Sequence, residues 1–153
     1  MTDTTPRYVM PATSFGRVLF RFFNSTVAAL TRAGISVYGS RVLAVRGRAS
    51  GEWRTNPVNP LTYAGSRYLV APRGQTQWVR NLRVAGGGEL RVGRRAEAFT
   101  ATELSDDQKP EILREYLRRW KFEVGMFFDG LAPDSTEAEF AAAADQHPVF
   151  ALR

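Results

Sequence analysis

Apolar residues recur along this chain with two periods, and the switch between them marks where helix gives way to strand. Phe15, Val18, Leu19, Phe22, Phe23, Thr26 and Leu30 fall on one face at about 100° per residue. Arg17, Arg21, Asn24, Ala28 and Arg32 fall on the other, which predicts an amphipathic helix over about 14–33 closed by Gly34. Residues 1–12, polar and carrying Pro6 and Pro11, read as a loosely packed arm. The helix either covers one end of the core with its phenylalanine face, the simpler reading, or lies on an anionic membrane surface. Arg17 and Arg21 interrupt its apolar run, so neither a signal peptide nor a transmembrane span is expected. The expected location is cytoplasmic, with peripheral contact at the inner face of the cell membrane as the alternative that the helix allows.

From Arg41 onward the pattern is that of strands and tight turns. Arg41–Arg46 alternates around Val42 and Ala44. Trp53–Tyr63 is extended but contains Pro57 and Pro60, which puts it at a sheet edge or on a bulge. Ala64-Gly65-Ser66 turns the chain into a strand over Arg67–Ala71. A short helix over 75–84 presents Trp78 and Asn81/Leu82 on neighbouring faces and ends at Gly86-Gly87-Gly88. Glu89–Val92 and Arg95–Glu103 form a hairpin turning at Gly93.

Ser105-Asp106-Asp107-Gln108 is a capping-box sequence, with Pro110 as an alternative helix start. Ile112, Leu113, Tyr116, Leu117 and Trp120 supply that helix with a buried stripe. A loop around Asp129–Asp134, a short alanine-rich helix near Thr136–Ala144 and an apolar strand over Pro148–Leu152 complete the chain. About six strands without βαβ alternation predict a mainly β fold with flanking helices, a small antiparallel barrel. At 153 residues one domain closes one core.

Charge changes this picture more than composition does. Residues 41–95 carry eleven arginines against Glu52 and Glu89, a net of +9, whereas residues 96–153 carry a net of −6. The segregated positive charge sits where the glycine-bearing turns are, and it favours an anionic partner. With no cysteine there is no disulfide, thiolate metal site or cysteine nucleophile. The single histidine, His147, excludes a multi-histidine metal site and reads as a structural residue ahead of Pro148.

The richest stretch is Arg46-Gly47-Arg48-Ala49-Ser50-Gly51-Glu52-Trp53-Arg54-Thr55-Asn56-Pro57, at the joint of two apolar runs. Glycines let backbone N–H groups approach a ligand, and arginines and a hydroxyl donate to phosphate or carboxylate oxygens. Ala71-Pro72-Arg73-Gly74 and Trp78-Val79-Arg80-Asn81-Leu82 follow, and the three groups describe a pocket for an anionic, aromatic ligand. There is no Gly-x-Ser-x-Gly elbow and no phosphate loop, and the glycine triplet precedes a strand, so it is no dinucleotide fingerprint. Any redox chemistry therefore belongs to a bound cofactor.

The pattern Gly47-Arg48-x-Ser50-Gly51-x-x-Arg54-x-x-Pro57, then Ala71-x-Arg73-Gly74, then Trp78-x-x-Asn81-Leu82, resembles the deazaflavin-dependent nitroreductase family. These are actinobacterial reductases that use reduced coenzyme F420, and the resemblance implies a split β-barrel of the FMN-binding-like type. It runs from about Leu43 to Leu104 and more faintly to Pro148-Val149-Phe150. It implies that Arg48, Ser50, Gly51 and Arg54 grip the phosphate and oligoglutamate tail, with Pro57 closing that motif. Ala71, Pro72, Arg73 and Gly74 would line the deazaflavin ring, Arg73 standing where the family usually has lysine. Trp78 and Asn81 would wall the cofactor, with Arg80 as an additional charge.

Three positions depart from the family pattern. Ala49 replaces a common basic residue, and the segment from Arg73 to Trp78 is shorter than in the nitroimidazole-reducing members. Phe127 and Phe128 stand where tyrosines are frequent, so a protein-derived proton donor and nitroimidazole activity are not expected. The leading expectation is an F420H2-dependent reductase passing a hydride to a quinone or activated alkene, with Trp78, Phe127 and Phe128 lining the acceptor pocket. The alternatives are an FMN- or FAD-binding split-barrel oxidoreductase and a non-catalytic lipid or hydrophobic-metabolite binding protein. A nucleic-acid partner ranks last, because no RNA- or DNA-binding motif is visible.

Overall fold

Seven strands form one antiparallel sheet in the computed structural model, which describes residues 40–153. The arm over 1–12 and the helix over 14–33 lie outside the described residues. The strands are β1 (Arg41–Arg46), β2 (Trp53–Val58), β3 (Leu61–Tyr63), β4 (Ser66–Val70), β5 (Gly87–Val92), β6 (Arg95–Glu103) and β7 (Val149–Leu152). Their order across the sheet is β2-β1-β5-β6-β7-β4-β3. The outermost strands, β2 and β3, are separated in the chain only by Asn59-Pro60, so the covalent link curls the sheet back on itself. Both prolines of this stretch thus sit on or beside edge strands, where a missing N–H disrupts no central ladder.

The barrel is split within β6. Residues Arg95–Thr100 pair with β5, and Ala101–Glu103 pair with β7. The fold is a split β-barrel, mainly β with flanking helices, with one strand more than the sequence pattern counted because Pro60 divides the extended stretch into β2 and β3.

The glycine triplet behaves differently from its sequence reading. Gly86 alone closes the preceding helix, α1 (Gln77–Ala85), in a left-handed conformation with its N–H bonded to the Leu82 carbonyl at 2.8 Å. Gly87 and Gly88 instead open β5. A Cβ at Gly87 would overlap the Phe99 carbonyl oxygen, and one at Gly88 the Ala44 carbonyl oxygen. Strand residues are glycine here because neighbouring backbone passes too close for any side chain.

Two hydrophobic clusters lie on opposite sides of the β4–β7 ladder. Leu69 and Phe150 face the barrel interior with Leu43, Val45, Leu90 and Phe99, and α1 caps that interior with Trp78, Val79 and Leu82. Val70 and Val149 point the other way and meet α2 (Pro110–Val124) through Leu113, Tyr116, Leu117 and Trp120, with Phe140 from α3 (Glu137–Ala143). The alternation of a strand supplies both faces from adjacent residues. The Ser105 capping box is real but starts a 3-10 turn at Asp106–Gln108, while α2 itself starts at Pro110. Buried Lys109 joins the two parts, its Nζ donating to Asp106 at 2.7 Å and to the Ala144 carbonyl at 3.0 Å.

Candidate functional site

The β1–β2 connection is built to hold its side chains in place. Arg46 pairs with Trp53, and between them Gly47 N–H bonds to the Glu52 carbonyl at 2.8 Å and Gly51 N–H to the Gly47 carbonyl at 2.9 Å. Ser50 Oγ accepts the Glu52 N–H at 3.2 Å. It folds back so far that a Cβ at Gly47 would stand 2.9 Å from it. Gly51 has φ of 73°, which a side chain would strain.

Helix α1 locks this turn from the other side. Trp78 and Asn81 are three positions apart on one face of α1, and both are buried. Asn81 Oδ1 accepts two bonds from Arg48, one from its amide at 3.1 Å and one from its guanidinium at 2.8 Å. Between the turn, β2 and α1 lies a pocket of about 660 Å³. Gly47, Arg48, Ala49 and Ser50 line one side, Trp53, Arg54, Thr55 and Asn56 a second, and Gln77, Trp78 and Asn81 a third. None of these lining residues is acidic.

Arg54 stands opposite Val45 in the ladder, on the barrel-facing side of β2. Its ion pair with Glu52 spans 3.8 Å with both side chains mostly exposed, a geometry of little energetic weight. Arg54 is therefore available to an anion. Trp53, which the motif pattern does not include, is fixed by the guanidinium groups of Arg46 at 4.0 Å and Arg91 at 4.9 Å from its ring centroid. Arg91 is itself held by Glu89 at 2.8 Å. A tryptophan between Glu52 and Arg54 was the available signal, since a polar turn has no core for it to fill.

The other expected positions separate into three groups. Gly51 shapes the β1–β2 turn from outside the lining. Ala71, Pro72, Arg73 and Gly74 form the β4–α1 connection, immediately ahead of the pocket residues Gln77 and Trp78, but are not themselves lining. Burial lowers the Arg73 pKa from its ordinary value by desolvation, yet a guanidinium remains charged. Pro57, opposite Val42 on β2, and exposed Arg80 on α1 stand outside the lining as well.

Phe127 and Phe128 are not in the pocket wall. Both are about 1% exposed and belong to the α2 cluster on the far side of the sheet. Without hydroxyls, both rings follow the hydrophobic effect into the core. His147 is structural as expected, stacked on Phe128 with centroids 4.3 Å apart and its Nδ1 3.0 Å from the Pro72 carbonyl oxygen. Desolvation pushes its pKa down to about 4, against the opposing pull of backbone bonds to Pro72 and Ala71.

The pocket lining has no imidazole, thiol, carboxylate or lysine amine of its own. Ser50 and Thr55 are the hydroxyl-bearing residues of the lining. Among the described residues no three His, Cys, Asp or Glu side chains could hold a metal ion. No described helix is long and apolar enough to cross a membrane.

Residues 18–123 match the family model described as F420H2-dependent quinone reductase. Among solved structures, the chain is similar to an F420-H2 dependent reductase (FDR-A) at 18% identity over 75% of this chain and 94% of that one, TM-score 0.49. It is also similar to a domain-swapped dimer at 17% identity over 90% and 92% of the two chains, TM-score 0.53. A protein of unknown function from Agrobacterium tumefaciens matches at 15% identity over 98% and 58%, TM-score 0.53. The last two likenesses concern the fold alone. No curated protein matches.

Proposed function

The chain belongs to the F420H2-dependent quinone reductase family, and from that premise we propose that its basic pocket holds reduced coenzyme F420 and that it reduces a quinone or an activated alkene. Membership makes it an oxidoreductase of the F420H2-dependent class and gives FMN and FAD no support. The observation that carries the reading is the convergence of Arg48, Ser50 and Arg54 with Trp78 in one acid-free pocket.

The residues present fit the cofactor. A tail with phosphate and several carboxylates needs more than one guanidinium and a hydroxyl, and a planar ring needs an apolar wall. Arg48 and Arg54 donate to the anionic oxygens, with Arg48 pre-set by Asn81 so that little side-chain freedom remains to be lost on binding. Trp78 supplies flat apolar surface beside them. When bound, the cofactor supplies the hydride. The chain contributes orientation of donor and acceptor, the main source of acceleration open to a pocket without an imidazole, thiol, carboxylate or lysine amine. Trp53 and Arg54 are exposed, so water reaches this side of the pocket and can provide the proton.

Titration of F420 into the purified protein, followed by tryptophan fluorescence, tests the cofactor assignment: saturable quenching is expected, and an unchanged signal with no retention of F420 on gel filtration overturns it. Oxidation of F420H2 on addition of a soluble quinone or an activated alkene then tests the acceptor.

A further inference from the structure

The β4–α1 connection decides where Gln77 and Trp78 enter the pocket wall, and it is held by a side chain from the far end of the chain. Strand pairing between β4 and β7 ends at Val70–Val149. One more backbone bond follows, from Ala71 N–H to the Pro148 carbonyl at 2.8 Å. At the next residue an imidazole replaces the backbone as partner, His147 Nδ1 lying 3.0 Å from the Pro72 carbonyl oxygen. A carbonyl only accepts, so Nδ1 carries the proton. Beyond this point the chain turns through Gly74 N–H to Ala71 O at 3.1 Å and Thr76 N–H to Gly74 O at 2.9 Å, and α1 begins.

The imidazole cannot drift. It is 1% exposed, and its face rests on Phe128, which packs against Tyr116 with ring centroids 6.2 Å apart. A continuous set of contacts therefore runs from α2 through Tyr116, Phe128 and His147 to Pro72. Lys109 and Asp145 are the charged groups whose fields reach the ring, and they act in opposite directions.

We propose that His147 is a positioning residue: by fixing the Pro72 carbonyl it sets the turn that places the start of α1 in the pocket wall. Ligand affinity then depends on a side chain outside the pocket. The affinity part of this inference rests on the reading of the pocket as the F420 site; the positioning part does not.

Two variants separate its contributions. His147→Phe keeps a ring against Phe128 and removes the donor, while His147→Asn loses the ring and keeps an amide N–H near the place of Nδ1. Loss of one buried hydrogen bond that holds the turn should raise the F420 dissociation constant about tenfold in His147→Phe, with recovery to within about threefold in His147→Asn. In ligand-free protein, amide exchange at Gly74, Thr76 and Arg80, whose N–H groups are bonded within the turn and the first turn of α1, should quicken in His147→Phe while β5 and β6 stay protected. Wild-type affinity together with wild-type exchange in His147→Phe overturns the proposal. Should that variant fail to fold, the nitrogen shifts of the wild-type imidazole decide: a protonated Nδ1 supports the proposal and an unprotonated one overturns it. If the wild type does not bind F420, the pocket reading fails, and exchange at the turn still decides the role of His147.

Discussion

Asn81 holds Arg48 by both its backbone and its side chain, through a single carbonyl oxygen that accepts the amide at 3.1 Å and the guanidinium at 2.8 Å. The two residues are 33 positions apart, so this contact joins the β1–β2 turn to α1 and aligns two walls of the pocket. Asn81 is only 4% exposed. Asn81→Ala should lower stability by about 1–3 kcal/mol, because the Arg48 amide loses its partner in a part-buried setting. Urea denaturation measures this, and F420 affinity should fall in the same variant.

Arg54 predicts the opposite split. Its weak pairing with Glu52 contributes little to the fold, so Arg54→Ala should change stability by no more than about 0.5 kcal/mol. Its F420 affinity should fall about tenfold, as expected for a lost charge-assisted bond, and more at low salt than at high. Unchanged binding at low ionic strength would remove this guanidinium from the site.

Trp53 and Arg46 form a cross-strand pair in which the cation sits 4.0 Å from the ring centroid. A double-mutant cycle using Trp53→Ala and Arg46→Ala should return a coupling of about 0.5–1 kcal/mol, the range for a partly exposed cation–π contact. A coupling near zero would show that the indole is not held.

His147 gives the protein a pH response with a defined sign. Its folded-state pKa is about 4 against an ordinary 6.5, so the folded form prefers the neutral ring. Below pH 6.5 the unfolded chain gains a proton that the folded protein does not, and stability declines until the pH reaches about 4. The full effect is about 3 kcal/mol and is absent above pH 6.5. Comparing wild type with His147→Phe by denaturant titration between pH 7.5 and 4 isolates it, since the carboxylates are common to both.

Gly88 leaves no room for a methyl group. Gly88→Ala forces a Cβ against the Ala44 carbonyl oxygen at the β1–β5 ladder, and a loss of about 3 kcal/mol is expected. A midpoint of unfolding within a few degrees of wild type would mean that the strands can separate more than the packing implies.

Features decided by local chemistry were legible in the sequence. Pro57 and Pro60 marked edge strands, the Ile112–Trp120 stripe marked a buried helix face, and the arginine–glycine turn marked the pocket. What escaped depends on residues distant in the chain. Gly87 and Gly88 look like breakers until the backbone of β1 and β6 is set beside them. Trp53 was harder to read because the cations that hold it come from β1 and β5, and only folding brings them to it.

Residues 149–152 sit between β6 and β4, and this has a consequence for biosynthesis. While they remain inside the ribosome, the emerged polypeptide can assemble β2-β1-β5-β6 and the β3–β4 hairpin, but nothing zips one to the other. Until that strand emerges, the nascent protein presents two unsealed seams to chaperones and to its neighbours on the same message.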